Sequence, residues 1–343
     1  MSKTNQGRFF EDYRVGDVLT HAVPRTVGAG ERALYHALYP ARHALYSSDT
    51  FAQSCGLVAS PLDDMIAFHT VFGKTVPDVS LNAVANLGYG EGRWLAPVWP
   101  GDTLTSASEV IGVKQNSNGN TGVVWVRTTG RNQHGVSVLE YVRWVMVRKR
   151  DTNAPAPDTV VPDLAKVVAP ETLVVPAGLT FENYDTALAG EPHRLGDYAI
   201  GEQIDHVDGV TVEEAEHMMA TRLWQNTAKV HFDTSARPDG SRLIYGGHVI
   251  SMARALSFNG LANAQMVVGL NAGAHANPCL AGDTIRAWSE VLDIAETNAP
   301  GVGAIRLRLV ATKGGDPFAL RGEDGKYLPE VLLDLDYWAL MPV

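Results

Sequence analysis

Residues 222–233 read Arg-Leu-Trp-Gln-Asn-Thr-Ala-Lys-Val-His-Phe-Asp, a short segment holding an amide, an imidazole, a carboxylate and two cations. His231 is the side chain there that accepts a proton near neutral pH. Asn226 holds a water by hydrogen bonds but cannot exchange a proton with it. Asp233, two residues past the histidine, is placed to orient the imidazole, to supply a carboxylate from an irregular loop, or simply to cap that loop. Gly246-Gly247 precede an apolar helical stretch, so they form either a tight turn or a place where a ligand approaches first-turn amides, which favour negative charge. His248 follows as a first-turn residue or a ligand contact. Asp63-Asp64 stand at another helix start, where paired carboxylates more often cap the dipole than act as acid and base. Eleven histidines raise the question of a metal, but His-x-x-x-His and His-Glu-x-x-His spacings are absent and Cys55 and Cys279 lie far apart, so no metal is expected. Gly88-Tyr89-Gly90-Glu91-Gly92 does not open a helix and reads as a kinked strand start rather than a phosphate cradle.

The elements that must position these residues occur twice. Asp12-Tyr13-Arg14-Val15-Gly16 recurs as Asp197-Tyr198-Ala199-Ile200-Gly201, and Thr26-Val27 as Thr211-Val212, both shifted by 185. Pro97-Val98-Trp99-Pro100-Gly101-Asp102-Thr103-Leu104 recurs as Pro278-Cys279-Leu280-Ala281-Gly282-Asp283-Thr284-Ile285, shifted by 181, and Glu109-Val110-Ile111 finds Glu290-Val291-Leu292 at the same shift. Two copies of one fold are expected, over 1–150 and 179–343, with the proline-bearing stretch 151–178 as a semi-extended linker. In the second copy Thr211-Val212-Glu213-Glu214 reads as a capping box opening a helix to about Trp224, and a second helix is expected over about Val249–Leu261. Long strands are expected at 103–115, 121–131 and 136–149, and again at 283–294, 302–313 and 328–340, with Asn118-Gly119 as a hairpin turn. Each copy is then an antiparallel sheet wrapped around a long helix, an α+β arrangement, and the two sheets are expected to pair across a pseudo-twofold axis.

Composition narrows the function. The chain has 343 residues, 45% apolar and 19% charged, with 28 Lys+Arg against 38 Asp+Glu and a net charge of −10. It is expected to fold, and its charge argues against a nucleic-acid or anionic-membrane partner. Two isolated cysteines exclude a disulfide framework, and no apolar stretch approaches a membrane span or a signal peptide, so a soluble cytoplasmic protein is expected.

The order of helix, Trp224–Asp233 segment, Tyr245-Gly246-Gly247-His248-Val249 and Pro-x-x-x-Gly-Asp-Thr turn resembles the MaoC-like hot-dog hydratases, over nearly the whole chain and in two copies. The resemblance implies a double hot-dog enzyme. The family motif, Asp-x-Asn-Pro-x-His, falls on Asn226 and His231, which departs at the aspartate and makes His231 the implied general base, with Asn226 lining the site and Asp233 the alternative source of the carboxylate. The same positions in the first copy hold Ala41 and Tyr46. The first half is therefore implied to be catalytically degenerate and to shape an acyl-CoA tunnel, Tyr46 among its substrate contacts. Gly246, Gly247 and His248 are implied at the thioester, whose oxygen carries enolate charge during hydration. Leu38–Asp49 and Asn226–Asp233 are similar to the branch acting on mesaconyl-CoA to give β-methylmalyl-CoA. That substrate's second carboxylate needs a cation, for which Arg222 ranks above Lys229, with Arg42 as the first copy's counterpart. No cofactor is implied beyond the coenzyme A of the substrate; the expected partner is an acyl-CoA thioester, and the expected assembly is a homodimer or higher homo-oligomer. A hot-dog thioesterase and a non-catalytic acyl-CoA-binding module are the competing readings, the second favoured by the missing aspartate at 226.

Overall fold

Strands that alternate buried and half-exposed side chains pair by their hydrophobic faces, and the strongest alternation lies in the six strands read from the sequence. In the computed structural model, which describes residues 3–343, the first half contains β1 (Val18–Thr20), β2 (Arg25–Thr26), α1 (Ala29–Leu38), α2 (Ala44–Ser47), α3 (Asp49–Ser54), α4 (Asp64–Thr75), β3 (Ala83–Trp94), β4 (Thr103–Gln115), β5 (Thr121–Arg131) and β6 (Ser137–Arg148). After the linker come α5 (Thr186–Ala189), β7 (Gln203–Thr211), α6 (Glu214–Leu223), α7 (Gly246–Leu256), α8 (Phe258–Leu261), β8 (Val267–His275), β9 (Thr284–Glu296), β10 (Val302–Thr312) and β11 (Val331–Pro342).

One antiparallel sheet runs through both halves in the order β1-β4-β5-β6-β3-β8-β11-β10-β9-β7, with β2 beside β4. The order is a palindrome about the β3–β8 pair, where Tyr89 faces Gly273 and Gly90 faces Ala272. This is the α+β double hot dog with a pseudo-twofold axis. The two central strands lie outside the six long strands expected from the sequence, with the Gly88–Gly92 run of β3 read there as a kinked strand start, because glycine dilutes the β signal: β3 carries Gly88, Gly90 and Gly92, and β8 carries Gly269 and Gly273. Gly88 leaves room for the Trp144 ring, which a Cβ there would meet at 2.4 Å, so the glycine-dense run serves close packing within a bulged strand.

Two boundaries differ from expectation. Thr211 ends β7 with its hydroxyl on Thr284 Oγ1 (2.8 Å), so the capping box does not form and α6 starts at Glu214 without a side-chain cap. Helix α7 begins earlier, at Gly246, and ends at Leu256; the short α8 that follows is kinked within, where Asn259 and Gly260 (φ +96°) leave helical geometry.

Helices α4 and α7 sit side by side under the sheet, joined by His69, whose Nε2 bonds Ser251 Oγ at 2.7 Å and whose Nδ1 meets Tyr245 Oη at 3.3 Å. The apolar core is common to both halves: Phe68, Phe72 and Tyr89 share one cluster with Trp224, Tyr245 and Leu256. Residues 151–178 cross the outer face of the sheet. Val160 bridges to Val113, the Val168 N–H donates to Asn271 Oδ1 (2.7 Å), and the Val168 carbonyl accepts from Trp338 Nε1 (3.2 Å).

Helix α4 passes so close to the turn after α6 that a Cβ on Gly73 would lie 1.7 Å from the Trp224 carbonyl oxygen. Alanine ordinarily stabilises a helix interior by about 1 kcal/mol over glycine. Gly73→Ala is predicted to do the reverse and cost about 1–3 kcal/mol, because the clash is with backbone. Urea denaturation checks the sign.

Candidate active site

The chain after α6 turns sharply for a local reason. The Gln225 N–H bonds the Arg222 carbonyl and the Asn226 N–H bonds the Thr221 carbonyl, the paired bonds of a Schellman C-cap, with Gln225 left-handed at φ 55°. Asn226 is thereby fixed one residue past the cap. Its Oδ1 accepts from the Ala228 N–H (3.0 Å) and its Nδ2 finds no acceptor among the described residues. The following 3-10 turn, Lys229–His231, is tied down by the Leu243 N–H on the Val230 carbonyl.

His231 Nδ1 lies 2.9 Å from the Leu243 carbonyl oxygen. A carbonyl only accepts, so Nδ1 carries the proton and Nε2 keeps a lone pair. Burial pushes the imidazole pKa down to about 4, against the Leu243 bond, which raises it. The ring is therefore neutral and a proton acceptor through the physiological range.

His231 and Asn226 line a cavity of about 310 Å³ at the junction of the two halves. The second half adds Tyr245, Gly246 and His275; the first half adds Phe72, Val76, Asn86, Tyr89 and Arg143. None of the lining residues is an aspartate or glutamate. Tyr89 Oη and His275 Nε2 share a hydrogen bond (3.1 Å) across the β3–β8 junction, and burial lowers His275 to about 4 as well. At the start of α7 the Gly246 and Gly247 N–H groups find no acceptor among the described residues, and a Cβ on Gly246 would meet the His275 ring at 2.5 Å.

Several residues singled out in the sequence lie elsewhere. Asp233 does not reach the imidazole: its carboxylate caps the Thr234–Ala236 turn through the Ser235 N–H (2.9 Å) and Oγ (2.6 Å), and the histidine is oriented by a backbone carbonyl instead. Arg222 is exposed, its Nε on the Met218 carbonyl, because its helix turns that face to solvent. Lys229 is exposed, and Arg42 is exposed over the Phe258 ring at 4.4 Å. None of these three cations lines the cavity. His248 is buried against Tyr39 (5.1 Å between rings), pushed down to about 3 by burial, and does not line this cavity. Gly247 packs on Tyr245 and stays one residue behind the wall. Tyr46 is buried in a separate cluster, its hydroxyl donating to Asp64. Asp63 caps α4 through the Met65 N–H (2.8 Å), while Asp64, pushed up to about 8 by burial and then by Asp63, also accepts from the Val267 N–H (2.7 Å). Among the described residues no three His, Cys, Asp or Glu side chains gather around a metal-sized space.

Tyr89, His275, Asn86 and Arg143 escaped the sequence reading. A signal existed for Arg143: it occupies the inward position of β6 in the series Leu139, Tyr141, Arg143, Val145, Val147, where a charge is out of place. Tyr89 and His275 had none, since only the β3–β8 pairing brings them together.

A double hot-dog sheet over two central helices, with a His-bearing segment and a glycine-started helix facing one cavity, defines the class of MaoC-like hydratases. A structure of a MaoC domain protein dehydratase from Chloroflexus aurantiacus superposes with a TM-score of 0.97 at 56% identity, covering 100% of this chain and 99% of that one. A Mycobacterium tuberculosis protein described as a double hotdog fold gives 0.76 at 24% identity, over 97% of this chain and 98% of that one, which is a likeness of fold. A family model described as mesaconyl-CoA hydratase matches residues 1–320. The chain is 76% identical over 341 residues to a mesaconyl-CoA hydratase of Cereibacter sphaeroides and 56% identical over 349 to a beta-methylmalyl-CoA dehydratase of Chloroflexus aurantiacus, each covering 99% of both chains. The chain belongs to the mesaconyl-CoA hydratase family.

Since the Asp233 carboxylate faces solvent and caps its own loop, Asp233→Asn is predicted to keep hydration activity within about threefold of wild type, whereas His231→Ala is predicted to lose about 10²–10⁴-fold with an unchanged circular dichroism spectrum. Side-by-side steady-state rates on an enoyl-CoA decide which of the two side chains does the chemistry.

Proposed function

We infer that the protein is a hydro-lyase that reversibly adds water across the double bond of mesaconyl-CoA, giving β-methylmalyl-CoA. Kinship with a mesaconyl-CoA hydratase and a beta-methylmalyl-CoA dehydratase supports the substrate. The observation that carries the chemistry is the His231 tautomer: with Nδ1 held by Leu243, the Nε2 lone pair serves a cavity that also holds the Asn226 amide and the start of α7.

In this reading Asn226 Nδ2 donates to the oxygen of a water whose proton is accepted by His231 Nε2. The water oxygen bonds to the β-carbon, the carbon–carbon π pair moves toward the thioester, and the negative charge settles on the thioester oxygen. The free Gly246 amide at the start of α7 holds that oxygen, a stabilisation typically worth about 3 kcal/mol. The imidazolium then returns the proton to the α-carbon. Asn226 has no proton to give, so one base serves both transfers and the addition is syn. Burial that makes His231 a weak base makes its imidazolium a strong acid, which favours the second transfer. The reaction draws on no cofactor beyond the coenzyme A of the substrate. Cys55 and Cys279 are buried and unpaired, which supports a reducing, cytoplasmic setting.

Decay of the enoyl-thioester absorbance, with the product mass raised by one water and no free thiol released, tests the reaction. Thiol release would indicate a thioesterase, and neither signal a mere binder. The His231 pKa also fixes a pH dependence. Protonation removes the base only as pH falls toward 4, so kcat/KM is predicted to show no acid limb near 6.5, the ordinary histidine value. A limb centred near 6.5 in the pH–rate profile overturns His231 as the base. Asn226→Asp places a carboxylate beside the imidazole and is predicted to move the acid limb upward, because a neighbouring anion favours the imidazolium.

A further inference from the structure

Arg143 is fully buried at the inward face of β6. Its Nη2 donates to Thr75 Oγ1 (2.6 Å) and Ser80 Oγ (3.4 Å), and its guanidinium carbon sits 4.3 Å above the Phe72 ring. Among the described residues its Nε and Nη1 have no hydrogen-bond partner and it makes no ion pair. The nearby Asp78 is engaged instead by His21 Nδ1 at 2.8 Å. A buried guanidinium without an anion is costly to hold; two hydroxyls and one ring offset only part of its lost hydration. Such a group persists where a ligand supplies the charge.

Arg143 lines the same cavity as His231 and Asn226, and that cavity has no carboxylate wall. Asn86 lines it too, with both amide atoms buried and unbonded. We propose that Arg143 is the receptor for the free carboxylate of the substrate, its unbonded Nε and Nη1 forming a two-point grip, with Asn86 alongside, and that it selects dicarboxylic over monocarboxylic enoyl thioesters. The proposal rests on the hydratase reading above and deepens it. In a 2-methylfumaryl thioester the carboxylate is borne by the same carbon that takes up the hydroxyl. A cation there holds that carbon before the histidine and offsets the repulsion between the carboxylate and the oxygen nucleophile. The planar fork of arginine suits the planar carboxylate. The first half of the chain thereby contributes the residue that fixes the substrate class, while the proton-transferring residue comes from the second.

The test compares wild type, Arg143→Gln, Arg143→Lys and, as a surface control, Arg222→Gln. Two readouts are used: the ratio of kcat/KM for mesaconyl-CoA to that for crotonyl-CoA, and calorimetric binding of the unreactive pair succinyl-CoA and butyryl-CoA. Wild type is expected to bind succinyl-CoA the more tightly. Arg143→Gln is expected to erase that preference and to lower the mesaconyl-to-crotonyl ratio by about a hundredfold or more, the usual loss for one partner of a buried charge pair. Arg143→Lys should recover part of both, and Arg222→Gln should change neither. Without ligand, the Gln variant should melt at or above the wild-type temperature, because an uncompensated buried cation has been removed. Equal losses on both substrates, or a retained preference for succinyl-CoA, overturn the proposal; a lowered melting temperature with equal losses makes Arg143 a structural residue. If wild type fails to hydrate mesaconyl-CoA, the inferred reaction fails, and the binding pair still decides whether Arg143 receives a carboxylate.

Discussion

The antiparallel pairing of β3 with β8 is the interaction on which the rest of the structure depends. It fuses two half-sheets into one, sets α4 beside α7, and brings the inward face of the first half opposite the start of α7. The cavity exists only at this junction: Phe72, Tyr89 and Arg143 come from one side, Asn226, His231 and Gly246 from the other. Tyr89 and His275, bonded across the seam, mark how closely the halves are keyed. Glycine is the means of that approach, since Gly73 admits the Trp224 carbonyl and Gly246 admits the His275 ring.

The two halves of the repeat hold different side chains at equivalent positions. The second half retains the imidazole; at the equivalent position of the first half Tyr46 donates to Asp64 inside a packed cluster. A small void of about 20 Å³ near Met65, Phe68 and Ile250, with Arg254 and Tyr337 also in its lining, lies beside α4 and α7. The first half supplies cavity walls and a buried cation. Burial acts on the histidines of this region in one direction. His69, His231, His248 and His275 are all held well below the ordinary imidazole value, chiefly by desolvation. The folded state therefore binds fewer protons than the unfolded one below about pH 6.5, and stability contributed by these groups falls as pH drops through that window.

What determines His231 as the candidate base is local. The Schellman turn fixes Asn226, the 3-10 turn places His231, and Leu243 sets the tautomer. A carboxylate partner for the imidazole is unnecessary in this geometry. Asp233, two residues away in sequence, points out to its own loop because an Asx cap on Ser235 is available at once, whereas reaching the buried ring would require desolvating the carboxylate.

The sequence by itself determined the duplication, the six long strands, the α+β class and the segment that carries His231, because alternation, turn residues and repeated motifs are written in neighbouring positions. It determined too that a dicarboxylic substrate would need a cation. Which cation was a question only the tertiary structure decided. Arg222 and Lys229 lie near the histidine along the chain yet face solvent, while Arg143, 88 positions before His231, faces the same cavity. The strands that bring it there, β3 and β8, are rich in glycine and weak in local signal, and their pairing joins residues 176 to 184 positions apart. Local pattern specifies elements; the wall of a site built between two half-sheets is specified by their packing.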